Sequence, residues 1–352
     1  LTRSCTIALD VMGGDNAPDM VLRGAEIALQ RHPGTRFQLH GAEDRIRPLL
    51  THLPAVAAAA DIFHTDDVVT SDAKPSLALR AGRKSSMRLA IDAVAEGKAD
   101  CAVSAGNTGA LMAMAKLALK TMPGIHRPAM GTFLPTRRAE TVLLDLGANV
   151  ECDADNLVQF ALMGDAFARA VLGLTRPTIG LLNVGSEDMK GHEAVREAHA
   201  RLKAGILGLN YHGFVEGDDI PSGTVDVVVT DGFTGNIALK TIEGTAKLYG
   251  EFLRNAFKSS LLSKLGYLFA GPALRRLRAR LDPRKYNGAM LLGLNGIVVK
   301  SHGGSDAWAF ANAICAAHDL VQNGFLERIR EEMAAMGATT PSPDVPPQAV
   351  SA

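Results

Sequence analysis

The chain has 352 residues, with 37 Lys/Arg balancing 37 Asp/Glu to a formal net charge of zero. At 47% hydrophobic and 21% charged, it can bury the core of one large α/β domain or two intertwined ones. The balanced charge gives no global pull toward nucleic acid, and no window approaches the run of about eighteen apolar residues that a spanning helix needs.

In chain order, one unit recurs: a short apolar strand, a glycine-bearing turn, then a helical pattern. The first, "CTIALDVMGGDNAPDMVLRGAEIAL", predicts a strand to Leu9, a turn at Gly13-Gly14 and a helix opening near Pro18. Its apolar run is cut at Asp10, so it does not read as a signal peptide. "FQLHGAEDRIRPLL" repeats the unit weakly. "TVLLDLGANVECDADNLVQFALMGDAFARAV", "PTIGLLNVGSEDMKGHEAVREAHARLKAG" and "NGIVVKSHGGSDAWAFANAICAAHDLV" are clear cases. Strands alternating with helices predict a largely parallel sheet covered on both faces, with ligands beyond the carboxyl ends of its strands.

Two segments align: "DCAVSAGNTG" from Asp100 and "DVVVTDGFTG" from Asp226 share Asp-x-x-Val-[Ser/Thr]-x-Gly-x-Thr-Gly, 126 residues apart. They read either as an internal duplication with two halves facing one cleft, or as chance similarity between two strand–turn–helix units. "YGEFLRNAFKSSLLSKLGYLFAGPALRRLRARLDPRKY" breaks the rhythm, with helical spacing, a break expected at Gly271-Pro272, then a basic run. Between Lys258 and Lys285 it has eight Lys/Arg and one acid, Asp282. This hairpin, about 245–285, pairs an apolar tip (Leu261, Leu265, Tyr267, Leu268, Phe269) with a cationic stem (Arg275, Arg276, Arg278). It fits an anchor for an anionic membrane or a dimer interface. Residues 1–337 read as one catalytic domain, and the Pro/Ser/Ala-rich 338–352 as a disordered tail.

Glycine loops before helices suit anions, because the first helical N–H groups are unsatisfied and the helix dipole is positive there. "SAGNTG" (Gly106, Asn107, Thr108, Gly109) and "TDGFTGN" (Asp231, Gly232, Thr234, Gly235, Asn236) add side-chain donors. Lys190 in "GSEDMKGH", and Lys300 with His302 in "VVKSHGGSD", follow apolar strands into glycine turns, where a lysine can neutralise phosphate or serve as a surface charge. Asp10, Asp15, Asp145, Asp188 and Asp231 stand at strand ends as metal ligands, helix caps or turn fixers. His199 reads as a core or boundary histidine. Cys5, Cys101, Cys152 and Cys315 are too dispersed for a zinc site or disulfide framework and fit reduced cytoplasmic thiols. No Walker A, G-x-G-x-x-G, G-x-S-x-G or H-E-x-x-H motif occurs, and no nucleophile–base pair is evident.

At these residues the sequence resembles the PlsX family of acyl-acyl-carrier-protein:phosphate acyltransferases. The resemblance rests on "ALDVMGGDNAP", "KSSM", "SAGNTGALMA", "PGIHRPA", "LLDLGAN", "LLNVGSEDMKG", "VDVVVTDGFTGNIALKT" and "GAMLLGLNGIVVKSHG", which cover nearly the whole chain in order. Met290 departs from an expected proline, and "HGFVEGDDI" varies on a Gly-Asn-x-Glu pattern. The resemblance implies an α/β/α, Rossmann-like fold of the isocitrate/isopropylmalate dehydrogenase type, with two intertwined subdomains and a mixed sheet. It implies that inorganic phosphate attacks a long-chain acyl carrier protein thioester, in a homodimer without organic cofactor or metal. It further implies a cytoplasmic protein peripherally attached to the cell membrane, feeding a glycerol-3-phosphate acyltransferase of phospholipid synthesis.

Given that reaction, Asn107, Thr108, Thr234 and Asn236 with their backbone amides are the expected anion donors. Lys190 and Lys300 are the expected charge partners, His302 a donor or proton guide, and Asp231 a loop anchor. The basic arginines suit an acidic carrier protein as well as lipid. A coenzyme-A-dependent phosphate acyltransferase, a nicotinamide-dependent decarboxylating dehydrogenase and a membrane-docked scaffold are the alternatives.

Overall fold

A computed structural model describes residues 4–205 and 208–337; the expected tail, 338–352, lies outside them. Elements in the first half of the chain are β1 (Thr6–Asp10), α1 (Asp19–Arg31), β2 (Arg36–Gly41), α2 (Glu43–Leu50), α3 (Pro54–Ala59), β3 (Ala60–His64), α4 (Pro75–Ala81), α5 (Ser86–Ala95), β4 (Cys101–Ser104), α6 (Thr108–Leu119), β5 (Ala129–Pro135), β6 (Glu140–Leu144) and α7 (Ala154–Leu172). The second half follows with β7 (Thr178–Leu182), α8 (Glu193–Lys203), β8 (Asn210–Val215), α9 (Asp219–Ser222), β9 (Val227–Val229), α10 (Gly232–Lys258), α11 (Leu261–Leu281), β10 (Ala289–Leu292), β11 (Ile297–Lys300), α12 (Ala307–Gln322) and α13 (Phe325–Gly337).

Among the described residues, eleven strands form one sheet, ordered β3-β2-β1-β4-β11-β10-β5-β6-β9-β7-β8. It is mixed: parallel blocks β3-β2-β1-β4-β11 and β6-β9-β7-β8 flank a central antiparallel pair, β10 and β5. The near-continuous Val/Ile/Leu runs follow from burial on both faces. One apolar layer joins Ile7, Leu9, Phe160, Phe167 and Phe310; the opposite layer joins Ala8, Met87, Ile91, Leu111 and Val228.

The order is palindromic apart from the extra edge strand β3, and the register repeats with it. Ile7 pairs Cys101 as Ile179 pairs Val227. The Asp100 carboxylate accepts from the Thr6 N–H at 2.8 Å, and the Asp226 carboxylate accepts from the Thr178 N–H at 2.8 Å. A pseudo-twofold passes through the paired Met290 and Gly131. Each half also lends its last two strands to the other: β6 pairs β9, and β11 pairs β4. This repetition of contacts favours duplication over chance similarity.

The basic region forms a helical hairpin, with one correction. Its turn lies at Ser259–Ser260, and α11 runs through Gly271-Pro272 without a break. The Ser260 hydroxyl accepts from the Ser263 N–H at 3.0 Å, giving the new helix its cap. A single internal proline removes one hydrogen bond but need not end a helix this long. Leu261, Leu262, Leu265, Tyr267, Leu268, Phe269, Arg275 and Arg276 are exposed; the Arg278 side chain lies outside the described residues. Among the described residues, no helix is long and apolar enough to cross a membrane.

Candidate active site

The first expected loop, after β4, is assembled from three strand ends. Asp15 N–H donates to the Gly303 carbonyl at 2.9 Å, and Ser301 N–H to the Ser104 carbonyl at 2.9 Å, locking loops 10–15, 104–109 and 300–305 together. Beneath them lies a buried polar row. Asp10 Oδ1 accepts from the Ser86 hydroxyl and Oδ2 from the Ser104 hydroxyl, each at 2.6 Å. Ser104 Oγ in turn accepts the Gly106 N–H at 3.0 Å. Burial pushes the Asp10 carboxyl up, against the opposing pull of those hydroxyls, the Met12 N–H and Lys300.

Lys300 closes the row, paired in register with Ser104 and only 8% exposed. Its ammonium donates to the Ser301 carbonyl. Burial lowers its pKa to about 8, countered by Asp10 and Asp15 and reinforced by Lys240 of α10. His302 is exposed; its backbone N–H donates to Asn287 Oδ1 at 3.0 Å, and its Nδ1 accepts from Gly304 N–H at 3.2 Å. Partial burial, then Lys240, Lys300 and Lys247, lower its pKa, while Glu243 raises it. α10 therefore reaches from β9 across to the Lys300 loop.

The two glycine loops are capped differently. Asn107 caps α6: its Oδ1 accepts the Ala110 N–H at 2.9 Å, and its Nδ2 donates to the Ser71 and Ala73 carbonyls. The N–H groups of Thr108 and Gly109 have no acceptor among the described residues. In α10 the aligned position is Phe233, which cannot cap, and the helix starts at Gly232 under Asp231. The Asp231 carboxylate accepts both the N–H and the hydroxyl of Thr234 at 2.8 Å, and Gly232 N–H donates to the Asn149 carbonyl at 2.7 Å. A Cβ at Gly235 would lie 1.9 Å from the Asp145 carbonyl oxygen, so that glycine serves close packing.

The expected residues thus divide. Gly106, Asn107, Thr108, Gly109, Lys300 and His302 come together in one loop cluster. Asp231, Gly232, Thr234, Gly235 and Asn236 stand at the α10 mouth, with Lys190 on the exposed loop after β7. The Asn236 side chain is exposed and makes no hydrogen bond to a described residue. Of the acids, Asp145 accepts from the N–H groups of Met130, Ala148 and Asn149 and from Asn149 Nδ2, fixing its own loop. Asp188 pairs with Lys203 at 3.0 Å and His199 at 3.3 Å, and His199 is buried against Phe214. Ser86, Ser104 and Lys240 were not among the residues expected at the site; they sit inside "KSSM", "SAGNTG" and "VDVVVTDGFTGNIALKT", so the motifs contained them without marking them.

A family model described as "Fatty acid synthesis protein" matches residues 5–328. A phosphate acyltransferase of Rhodospirillum centenum is 64% identical over 346 residues, covering 98% of each chain. Among solved structures, a phosphotransacetylase from Streptococcus pyogenes is similar with a TM-score of 0.61 at 20% identity, covering 91% of this chain and 95% of its own. A 4-hydroxythreonine-4-phosphate dehydrogenase from Klebsiella pneumoniae follows at 0.53 and 16%, covering 92% and 99%. These two likenesses show the fold alone. Sequence identity along nearly the full chain shows more: the chain belongs to the PlsX family of phosphate acyltransferases.

Proposed function

We propose that the chain transfers a long-chain acyl group from an acyl carrier protein thioester to inorganic phosphate, and that phosphate sits at the mouth of α6 beside Lys300. The difference in caps carries this placement. An anion at α6 meets two open N–H groups under a neutral cap, with a buried ammonium close by. An anion at α10 meets the Asp231 carboxylate, which holds the Thr234 N–H and hydroxyl, with the Gly232 N–H taken by the Asn149 carbonyl, so that only the Phe233 N–H is open among the described residues.

In the step proposed, a phosphate oxygen forms a bond to the thioester carbonyl carbon, and the C–S bond breaks as the tetrahedral intermediate collapses. The thiolate leaves and takes a proton. Phosphate is already nucleophilic, so holding both reactants in line is the main requirement, and an oxyanion donor contributes about 3–4 kcal/mol. Lys300 and the Thr108 and Gly109 amides hold phosphate, His302 and Lys240 face the developing oxyanion, and Lys190 and Asn236 border the thioester's approach. Asp231 keeps α10 in place.

The reading extends to two intertwined subdomains of the isocitrate and isopropylmalate dehydrogenase type, supported by the exchanged strand pairs, and to a homodimer. It extends also to a cytoplasmic enzyme docked on an anionic membrane through the exposed hairpin, handing acyl phosphate to a glycerol-3-phosphate acyltransferase. Palmitoyl-acyl carrier protein and phosphate are mixed with the protein, acyl phosphate is trapped with hydroxylamine, and released thiol is counted. Phosphate-dependent hydroxamate matching the thiol is the expected result. A higher rate from palmitoyl-coenzyme A would assign the coenzyme as donor, and thiol without hydroxamate would overturn phosphate transfer.

A further inference from the structure

The duplicated architecture contains its own control, because the same space can be inspected in both halves. In the first half, α5 packs against β1, β2, β4 and α6, filling the face beside α6 with Met87 and Ile91. Leu111 of α6 is consequently only 1% exposed. The second half has no counterpart of α5: between β8 and β9 there is only the four-residue α9. Ile237 aligns with Leu111 and is 50% exposed.

The space left open is an apolar groove of about 330 Å³. One wall is α10, with Thr234, Ile237, Ala238, Thr241 and Ile242; the other is Leu182 and Asn183 after β7, with Gly217 and Ile220. Ile237 and Lys240 are neighbours three residues apart on α10, so one edge of the groove lies within a helical turn of Lys240, whose ammonium pairs with Glu243 at 2.8 Å and whose charge is felt by Lys300 and His302. At about 30 Å³ per methylene, near the share of a water molecule, the volume holds roughly ten methylenes.

We propose that this groove receives the acyl chain of the thioester, with Ile237, Ala238 and Thr241 as its floor and Leu182 and Ile220 as its far wall. The proposal rests on the acyl-transfer reading above. A flexible hydrocarbon needs apolar surface without hydrogen-bond partners, and it must begin at the reacting carbonyl. The groove meets both conditions: its lining is mostly aliphatic, and its Ile237 edge lies one helical turn from Lys240. The first half carries out no such task on this face, and α5 fills it.

The test is the ratio of turnover with palmitoyl- and hexanoyl-acyl carrier protein, in the full-length protein and in Ala238→Trp and Thr241→Trp. A ratio is insensitive to the folded fraction, since both substrates share it. Each indole is expected to lower the palmitoyl-to-hexanoyl ratio at least tenfold. An unaltered ratio, or equal loss with both substrates, would overturn the proposal. So would an unaltered ratio with a changed mass by light scattering, which would assign the groove to a second copy of the chain. If the unmodified protein makes acyl phosphate from neither substrate, the acyl-transfer reading itself fails instead.

Discussion

Lys300 and Asp145 occupy the same place in the two halves of the sheet. Each ends the strand that a partner half borrows, Lys300 beside Ser104 and Asp145 beside Thr230, and both are buried. One position carries a cation and the other a carboxylate, so the duplicated frame buries a positive charge in one half and a backbone-holding negative charge in the other.

Asp145→Ala should therefore act on stability. It leaves three backbone N–H groups without their acceptor, and the Asn149 amide with only the Pro128 carbonyl. A loss of about 3 kcal/mol is expected in urea unfolding, with the midpoint moving and the slope unchanged. A loss below about 0.5 kcal/mol would show that water replaces the carboxylate.

Lys300 should impose a pH dependence on phosphate. Its pKa is lowered to about 8, so the ammonium is present below that pH and lost above it. Between pH 7.5 and 9 the charged fraction falls roughly eightfold, and KM for phosphate is expected to rise with it. Lys300→Arg keeps its charge throughout and should abolish the step. A step that persists in the arginine variant would assign the titration to another group.

Asp10→Asn removes the carboxylate that holds the Lys300 proton against burial. The phosphate step should then move below pH 8. A purely structural Asp10 would reduce the amount of active enzyme and leave the midpoint where it was.

Asn107→Asp retains a good helix cap but puts a carboxylate at the α6 mouth, as Asp231 does at α10. KM for phosphate should rise about tenfold, with less effect on KM for the thioester. Equal effects on both would place phosphate elsewhere.

The hairpin offers an independent test. Leu261→Ser combined with Leu262→Ser should reduce co-sedimentation with vesicles containing anionic lipid, and rising salt should weaken binding of the unaltered chain through Arg275 and Arg276. Full binding by the double variant would remove the hairpin's apolar end from membrane contact.

Much of this was legible in the residues. Gly, Thr and Asn at strand ends identified both loops, because helix mouths need those residues. The Asp100 and Asp226 segments exposed the repeat, since each aspartate fixes the first amide of a neighbouring strand. Less legible was how donors are divided: Asn107 and Asp231 have equal capping ability, and only the bonds show two open N–H groups at the α6 mouth against one at α10. Lys240 lies in the "GNIALKT" end of a quoted motif, but nothing in that spacing says where α10 crosses, and its importance depends on that crossing. The Gly271-Pro272 break failed because Ser260 offered a better place to turn.

The exchange of strand pairs sets a waiting time during synthesis. Once residue 104 leaves the ribosome, the edge of β4 has no partner until β11 arrives about 190 residues later, roughly ten to forty seconds at bacterial elongation rates. Throughout that interval a buried-type strand, Cys-Ala-Val-Ser, presents an open hydrogen-bonding edge. The nascent chain cannot complete its first half alone, so premature release near residue 170 yields an aggregation-prone fragment and not a smaller enzyme.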